Sequence, residues 1–242
     1  MAKLDRTKIF ATPNYRLGQC MRFPILILAL IVLPGAAAAP DPSRDPHQMH
    51  RLHQDSQAYI RLLEDPQRDS YQKPHEVLTA LKLKPGEVVA DIGAGSGYFT
   101  FRIAHHVGAA GKVYAVDVNP EMIRHINRHM RSHAVRNVVS VLADPDDPLL
   151  PEKSVDRVFI CNVWHHIENP IGYIDRLKNS LKRGGEVVMI DFHKKDLPVG
   201  PPVQMKIARD VLIEQMQKSG FRLAREHTFL PYQYFLVFVA LE

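Results

Sequence analysis

Between Val88 and Thr100 the chain reads Val-Val-Ala-Asp-Ile-Gly-Ala-Gly-Ser-Gly-Tyr-Phe-Thr: an apolar run ends in an acid, and three glycines follow at alternate positions. Such a stretch predicts a strand, a tight turn and a helix. Glycine suits the turn because it accepts positive φ. Lacking a Cβ, it also lets a ligand lie against the backbone where a helix N-terminus presents free N–H groups. The spacing restricts the ligand. A dinucleotide fingerprint, G-x-G-x-x-G, would need glycine where Tyr98 stands, whereas the third glycine here is Gly97, giving G-x-G-x-G. A Walker A phosphate loop needs Lys-Ser or Lys-Thr after its glycines, and neither follows.

Asp91 two positions before Gly93-Ala94-Gly95-Ser96-Gly97, with a second strand ending at Asp117, resembles the cofactor-binding half of class I S-adenosylmethionine-dependent methyltransferases, in particular the small-molecule members similar to quinone-biosynthesis methyltransferases. The resemblance runs from about Gln72 to the C-terminus. It implies S-adenosylmethionine as cofactor, held by Asp91, Gly93, Gly95 and Gly97. It also implies a Rossmann-like α/β fold, with a seven-stranded, mostly parallel sheet, an antiparallel last strand and helices on both faces.

Asp117 ends the strand Lys112 to Asp117, where a carboxylate can accept both ribose hydroxyls. Asn119-Pro120 already supplies an N-cap and a first-turn proline for the next helix, so Asp117 is not needed as the cap. After the third strand, Val138 to Leu142, comes Asp144-Pro145-Asp146-Asp147. In the family an acid here accepts from the adenine amino group and the following N–H contacts the ring, but Pro145 has no N–H. Asp144 and Asp146 both remain candidates, with Asp144 favoured by register.

The fourth strand, within Ser154 to Asn162, leads into Trp164-His165-His166. The resemblance places Asn162 with the cofactor and the paired histidines beside the transferable methyl. There an imidazole can act as a base or hold the acceptor. His166 is expected to matter more than His165. The competing reading, that one histidine merely bonds a neighbouring loop, stays open, and Trp164 reads as pocket wall or packing. Helix Leu177 to Leu181, a turn at Gly184-Gly185 and strand Val187 to Phe192 follow, with Asp191-Phe192-His193 at the same crevice. A proline-rich connection, Lys194 to Pro202, reads as a lid. A helix from Val203 to Lys218 and strands Phe221 to His227 and Gln233 to Leu241 complete the chain. Tyr71, Gln72 and Lys73, ahead of the helix Pro74 to Leu83, are further lid candidates.

Within 242 residues the formal charge is +5, which invites a nucleic-acid reading. Residues 1 to 39 hold five of the 31 Lys and Arg and one of the 26 acids, leaving 26 bases against 25 acids elsewhere. The electrostatic footprint of a nucleic-acid binder is therefore missing, and the expected partner is a small or lipid-like methyl acceptor. Phe23 to Leu33 is apolar, follows Arg22 and precedes Pro34-Gly35 and Ala36 to Ala39. That pattern predicts a secretory signal peptide over 1–39, with Met21 as a compact start, and hence an exported protein. An uncleaved leader would instead anchor the chain to a membrane, and without leader function it would be cytoplasmic.

Residues 40–70 read as an exposed segment, apart from a helical pattern over Ala58 to Leu63, and 71–242 as the methyltransferase domain. His47, His50 and His53, and likewise His125, His129 and His133, recur at helical spacing, but solvated histidines explain them and no metal is expected. Of Cys20 and Cys161 only Cys161 lies in the folded part, so no disulfide is expected there. The rival functions are a non-catalytic binding protein of the same fold and a nicotinamide-dependent oxidoreductase.

Overall fold

The computed structural model describes residues 55–241. The predicted leader, Cys20 and His47, His50 and His53 lie outside them. No described helix is long and apolar enough to cross a membrane.

Among the described residues three α-helices come first: α1 (Ser56–Leu63), α2 (Asp69–Gln72) and α3 (Pro74–Leu81). Then β1 (Val88–Ile92), α4 (Thr100–Val107), β2 (Lys112–Asp117), α5 (Pro120–Ser132), β3 (Val138–Leu142) and β4 (Val155–Cys161) alternate. α6 (Pro170–Ser180), β5 (Leu181–Phe192), α7 (Arg209–Lys218), β6 (Phe221–His227) and β7 (Gln233–Ala240) complete the chain. The strands form one seven-stranded sheet in the order β3-β2-β1-β4-β5-β7-β6. β1 to β5 pair in parallel, and β7 runs antiparallel between β5 and β6, as the resemblance implies.

Helices cover both faces, so the central strands carry apolar side chains at odd and even positions alike. Val158 and Ile160 of β4 pack with Ile174 and Leu177 of α6 and Leu212 and Met216 of α7. Phe159 of the same strand packs on the other face with Val77 and Leu81 of α3 and Ile103 and Val107 of α4. The Asn119-Pro120 signal acts as expected, and Asn169-Pro170, which the sequence reading did not take as a helix start, works the same way. The Asn119 side chain accepts from the Glu121 N–H at 2.8 Å, and that of Asn169 from the Gly172 N–H at 3.1 Å.

Several boundaries differ from the sequence reading. The helix read over Leu177 to Leu181 is α6, Pro170–Ser180, and Leu181 belongs to β5. The stretch after Val203 forms only one 3-10 turn, Val203–Met205, and α7 begins at Arg209. Lys206 breaks the helix: it sits at φ −75, ψ 142 and turns inward, 1% exposed, where Nζ donates to the Lys195 carbonyl at 2.8 Å. β5 reaches back through Gly184-Gly185 to Leu181, because Leu181 pairs with Val155. Residues 56–70, read as part of an exposed segment beyond their helical pattern, bury Ile60 and supply one wall of the cavity described next.

Candidate functional site

The carboxyl ends of β1, β2, β4 and β5 open onto one cavity of about 390 Å³. Its first wall is the glycine turn. Gly93 and Gly95 both have left-handed backbone, at φ +65 and +56. A Cβ on Gly93 would run into the Val163 side chain, so at that point the turn packs directly against the loop that follows β4. Gly97, at φ +87, lies outside the cavity lining, beside the Phe101 ring. Phe99 makes no side-chain cap on α4, and the Phe101 N–H bonds back to the Gly97 carbonyl at 3.2 Å. Ser96 lines the cavity with a buried hydroxyl that has no hydrogen-bond partner.

Two carboxyls stand at this end. Asp91 is 3% exposed and accepts from the Thr100 hydroxyl at 2.6 Å. Burial pushes it up to about 7; the Thr100 hydrogen bond opposes the rise and the nearby Asp117 charge adds to it. Asp117 accepts from the Gly95 and Asn119 N–H groups, at 2.8 Å each. Burial raises its pKa as well, against those amides. Tyr59 of α1 lines the same end, its phenol raised by burial and then by Asp117. Two crowded, partly desolvated carboxyls favour a cationic occupant.

The opposite wall comes from the loops after β4 and β5. Asn162 follows β4 in left-handed backbone, φ +60. Its Nδ2 donates to Gln72 Oε1 at 3.1 Å, and its Oδ1 accepts from Gln233 Nε2 at 2.7 Å. Gln72 and Gln233 are both buried, and Gln233 also donates to Gln72 Oε1 at 3.2 Å. This triad fixes the chain ahead of α3 to the β4 and β7 ends. Lys73 adds a bond from Nζ to the Phe229 carbonyl at 3.1 Å.

His165 lines the cavity, and its Nδ1 lies 3.1 Å from both carboxylate oxygens of Asp191. The two side chains are 3% and 1% exposed. The more exposed His166 also lines the cavity, its ring centroid 4.2 Å from that of His165. Trp164 turns the other way into the core, its indole N–H donating to Gln215. Tyr71, Phe192, Gly200 and Pro201 close this end, so one lid candidate and part of the Lys194 to Pro202 connection do reach the site.

Of the residues singled out from sequence, Asp91, Gly93, Gly95, Asp117, Asn162, His165 and His166 meet in the cavity. Asp144 lies outside its wall, exposed, in a backbone bridge with Asp147. Sequence reasoning did not connect Asp191 with His165, Gln233 with Asn162, or Tyr59, Leu62, Leu63 and Arg68 with the cavity at all. Arg68 also stacks on the Tyr98 ring, 4.3 Å from its centroid. His125 reaches Glu64 at 2.7 Å, while His129 stacks between Phe101 and His133.

Residues 83–226 match the family profile described as a methyltransferase domain. The chain is 28% identical over 136 residues to an aklanonic acid methyltransferase of Streptomyces sp. (strain C5), covering 55% of this chain and 62% of that protein. It is 27% identical over 121 residues to a ubiquinone/menaquinone biosynthesis C-methyltransferase of Coxiella burnetii, covering 50% and 48%. The chain thus spans between about half and three fifths of the length of these curated relatives. Among solved structures, a SAM-dependent methyltransferase from Aquifex aeolicus superposes with a TM-score of 0.73 at 27% identity, covering 76% of this chain and 98% of that one.

Proposed function

This chain belongs to the methyltransferase-domain family, and on that premise we propose that it moves the methyl group of S-adenosylmethionine to a small or lipid-like acceptor. One observation carries the reading: the glycine turn with its paired carboxyls and the His165–Asp191 pair face each other across a single cavity. A donor held at one end therefore points toward an acceptor held at the other.

The residues present fit the family's cofactor. Gly93 and Gly95 line the cavity, and Ser96 keeps a buried hydroxyl there without a partner. Asp117 offers a carboxylate where a ribose would lie, and Asp91 and Asp117 favour the cationic sulfonium and ammonium groups. When bound, the cofactor supplies a methyl carbon on a sulfonium, which leaves as a neutral thioether.

What the chain must do is position and exclude. Alignment of two reactants can be worth roughly 7–11 kcal/mol of barrier. Tyr59, Leu62, Leu63 and Tyr71 wall the cavity from the N-terminal side, while Phe192, Gly200 and Pro201 limit water at the acceptor end. The aklanonic acid and quinone methyltransferases similar to this chain carry small or lipid-like acceptors in their names. They support an acceptor of that kind.

Thermal shift and calorimetry on the full chain test the reading. S-adenosylmethionine and its demethylated product should stabilise the protein and NAD should not; stabilisation by NAD alone would overturn it. Incubation with radiolabelled cofactor and fractionated cell extract then finds the fraction that takes up label.

A further inference from the structure

The acceptor end holds a histidine whose two ring nitrogens are in unlike surroundings. His165 Nδ1 faces both oxygens of the buried Asp191 at 3.1 Å. A carboxylate only accepts, so a proton on Nδ1 satisfies both partners. His165 lines the cavity and Asp191 does not, so the ring stands between the carboxylate and the open space. Its Nε2 has no hydrogen-bond partner among the described residues. Asp191 is itself fixed, since Oδ1 also accepts from the Phe192 N–H at 2.8 Å.

We propose that Asp191 is a positioning residue that keeps His165 in the Nδ1–H tautomer, and that Nε2 takes a proton from a neutral acceptor as it is methylated. This rests on the methyl-transfer reading and adds to it the chemical class of the acceptor. The acceptor's O–H or activated C–H bond breaks, and its proton goes to Nε2. The freed electron pair forms the bond to the methyl carbon, and the pair of the methyl–sulfur bond goes to sulfur. A base of this kind is needed only by a weak acid that is still protonated when bound. An acceptor that arrives ionised, such as a carboxylate, or carries a free lone pair, such as a thioether or tertiary amine, has no use for it.

The walls agree with that class. Tyr71, Val163, Phe192 and Pro201 present aromatic and apolar surface beside His165. Arg68 is the one Lys or Arg among the described lining residues, and it is stacked on Tyr98 by the glycine turn. Among the described residues that line the acceptor end, none is a lysine or arginine. The same geometry favours His165 over His166, whose more exposed ring is tilted 43° against that of His165.

The test is ¹⁵N-histidine NMR on the full chain, with the His165 signals identified by their loss in His165→Asn. The expected pattern is a protonated Nδ1 and a bare Nε2 in the wild type, and a change of tautomer in Asp191→Asn. The isosteric Asp191→Asn should keep its cofactor affinity, measured by calorimetry. A wild-type His165 protonated on Nε2, or a tautomer indifferent to Asp191→Asn, would overturn the proposal. With the extract fraction that takes up label, a lost general base should lower turnover on the order of 10²-fold or more in His165→Asn. Asp191→Asn should also lower turnover, with little change in KM in either variant; full activity in both would overturn the proposal. The labelled product should carry its new methyl on an oxygen or carbon that bore hydrogen, and a methyl ester or sulfonium product would count against it. If the wild type fails to bind S-adenosylmethionine, the methyl-transfer reading falls, while the tautomer measurement still decides the role of Asp191.

Discussion

The two ends of the cavity are built by opposite strategies. At the glycine end the contacts are short-range: Asp91 bonds Thr100 nine residues away, and Asp117 bonds Gly95 and Asn119, 22 and two residues away. Backbone amides supply most of the donors. At the acceptor end the partners are side chains, and those of Gln72 come from distant stretches: Asn162 and Gln233 lie 90 and 161 residues away, while His165 and Asp191 are 26 apart. Backbone amides are the same whatever the sequence around them, so the first end suits a part that every member of the family must bind. The second end can be rewritten by single substitutions, which suits the part that differs among acceptors. Gly93 against Val163 is where the two ends touch.

That contact predicts the largest effect. Gly93→Val places methyl groups into Val163 on a backbone at φ +65. Overpacking costs roughly 1–3 kcal/mol, and left-handed backbone for a non-glycine residue about 1–3 kcal/mol more. Calorimetry should show no cofactor binding, and the melting temperature should fall. In Gly95→Val a Cβ would meet only the flexible Leu63 Cδ1, at 2.9 Å, so that variant should lose binding and stay closer to the wild type in melting temperature. Full binding by Gly93→Val would mean that the two ends are not joined there.

Asp117→Ala separates the ends. It removes the acceptor of two amides and of the expected ribose hydroxyls. Hydrogen bonds to a charged group contribute ~1.5–3 kcal/mol, so affinity should fall by about ten- to a hundredfold. The ¹⁵N pattern of His165 should stay as it is. A change at His165 would show that the two ends are coupled beyond the Gly93 contact.

The glycine end should also titrate. Asp91 is raised from 3.8 to about 7 in the folded chain, so the folded state holds that proton more tightly than the unfolded one. The stability this contributes is fully present below about pH 3.8, is lost as the pH rises to about 7, and then levels off. Asp91→Asn should flatten that part of the stability profile. Cationic ligands favour the ionised form, so cofactor affinity should rise from about pH 6 and level off above about 7 in the wild type. The variant should bind with no such dependence. A flat wild-type profile would remove Asp91 from the ligand's surroundings.

At the acceptor end, Gln72→Leu leaves Asn162 Nδ2 without its acceptor and takes one from Gln233 Nε2, in a site where Gln233 Oε1 already lacks a partner. Leaving buried groups unsatisfied costs about 1–3 kcal/mol. The melting temperature should fall while cofactor affinity changes little. A loss of affinity as large as that of Asp117→Ala would mean that the glycine end depends on the distant contacts too.

The same contrast decides what the sequence discloses. Glycine spacing, the acids at strand ends and the Asn119-Pro120 cap are local signals, and they identify β1 to β4, the α5 start and much of one end of the cavity. The alternation of strands and helices discloses the sheet as well. Lys206 gives no such signal: a lysine in a helix-like pattern reads as surface, whereas in the fold it is buried and bonds the Lys195 carbonyl ahead of the late start of α7. Asp191 sits where a strand end is expected, but nothing local pairs it with His165. Tyr59, Leu62 and Arg68 precede the glycine motif by some thirty residues in a polar stretch, and the fold alone brings them to the cavity.

The smallest effect is expected at Asp144, and it fixes how far the glycine end extends. The resemblance assigns this acid to the adenine amino group, with Pro145 withholding the usual N–H. Asp144 lies beyond the wall formed by Asp117, Val118 and Asn119; it is exposed, and its backbone is engaged with Asp147 at 3.1 Å in both directions. A hydrogen bond at an exposed site competes with water, and its net worth lies near the low end of ~0.5–1.5 kcal/mol. Asp144→Ala should therefore weaken cofactor binding by only about two- to fivefold, with stability unchanged. A double variant with Asp146→Ala tests whether the second acid stands in for the first. A loss of tenfold or more in Asp144→Ala alone would place the adenine across the end of β3, with Val118 and Leu142, both more than half exposed, covered by the ring. The glycine end would then be one strand wider than the cavity wall indicates.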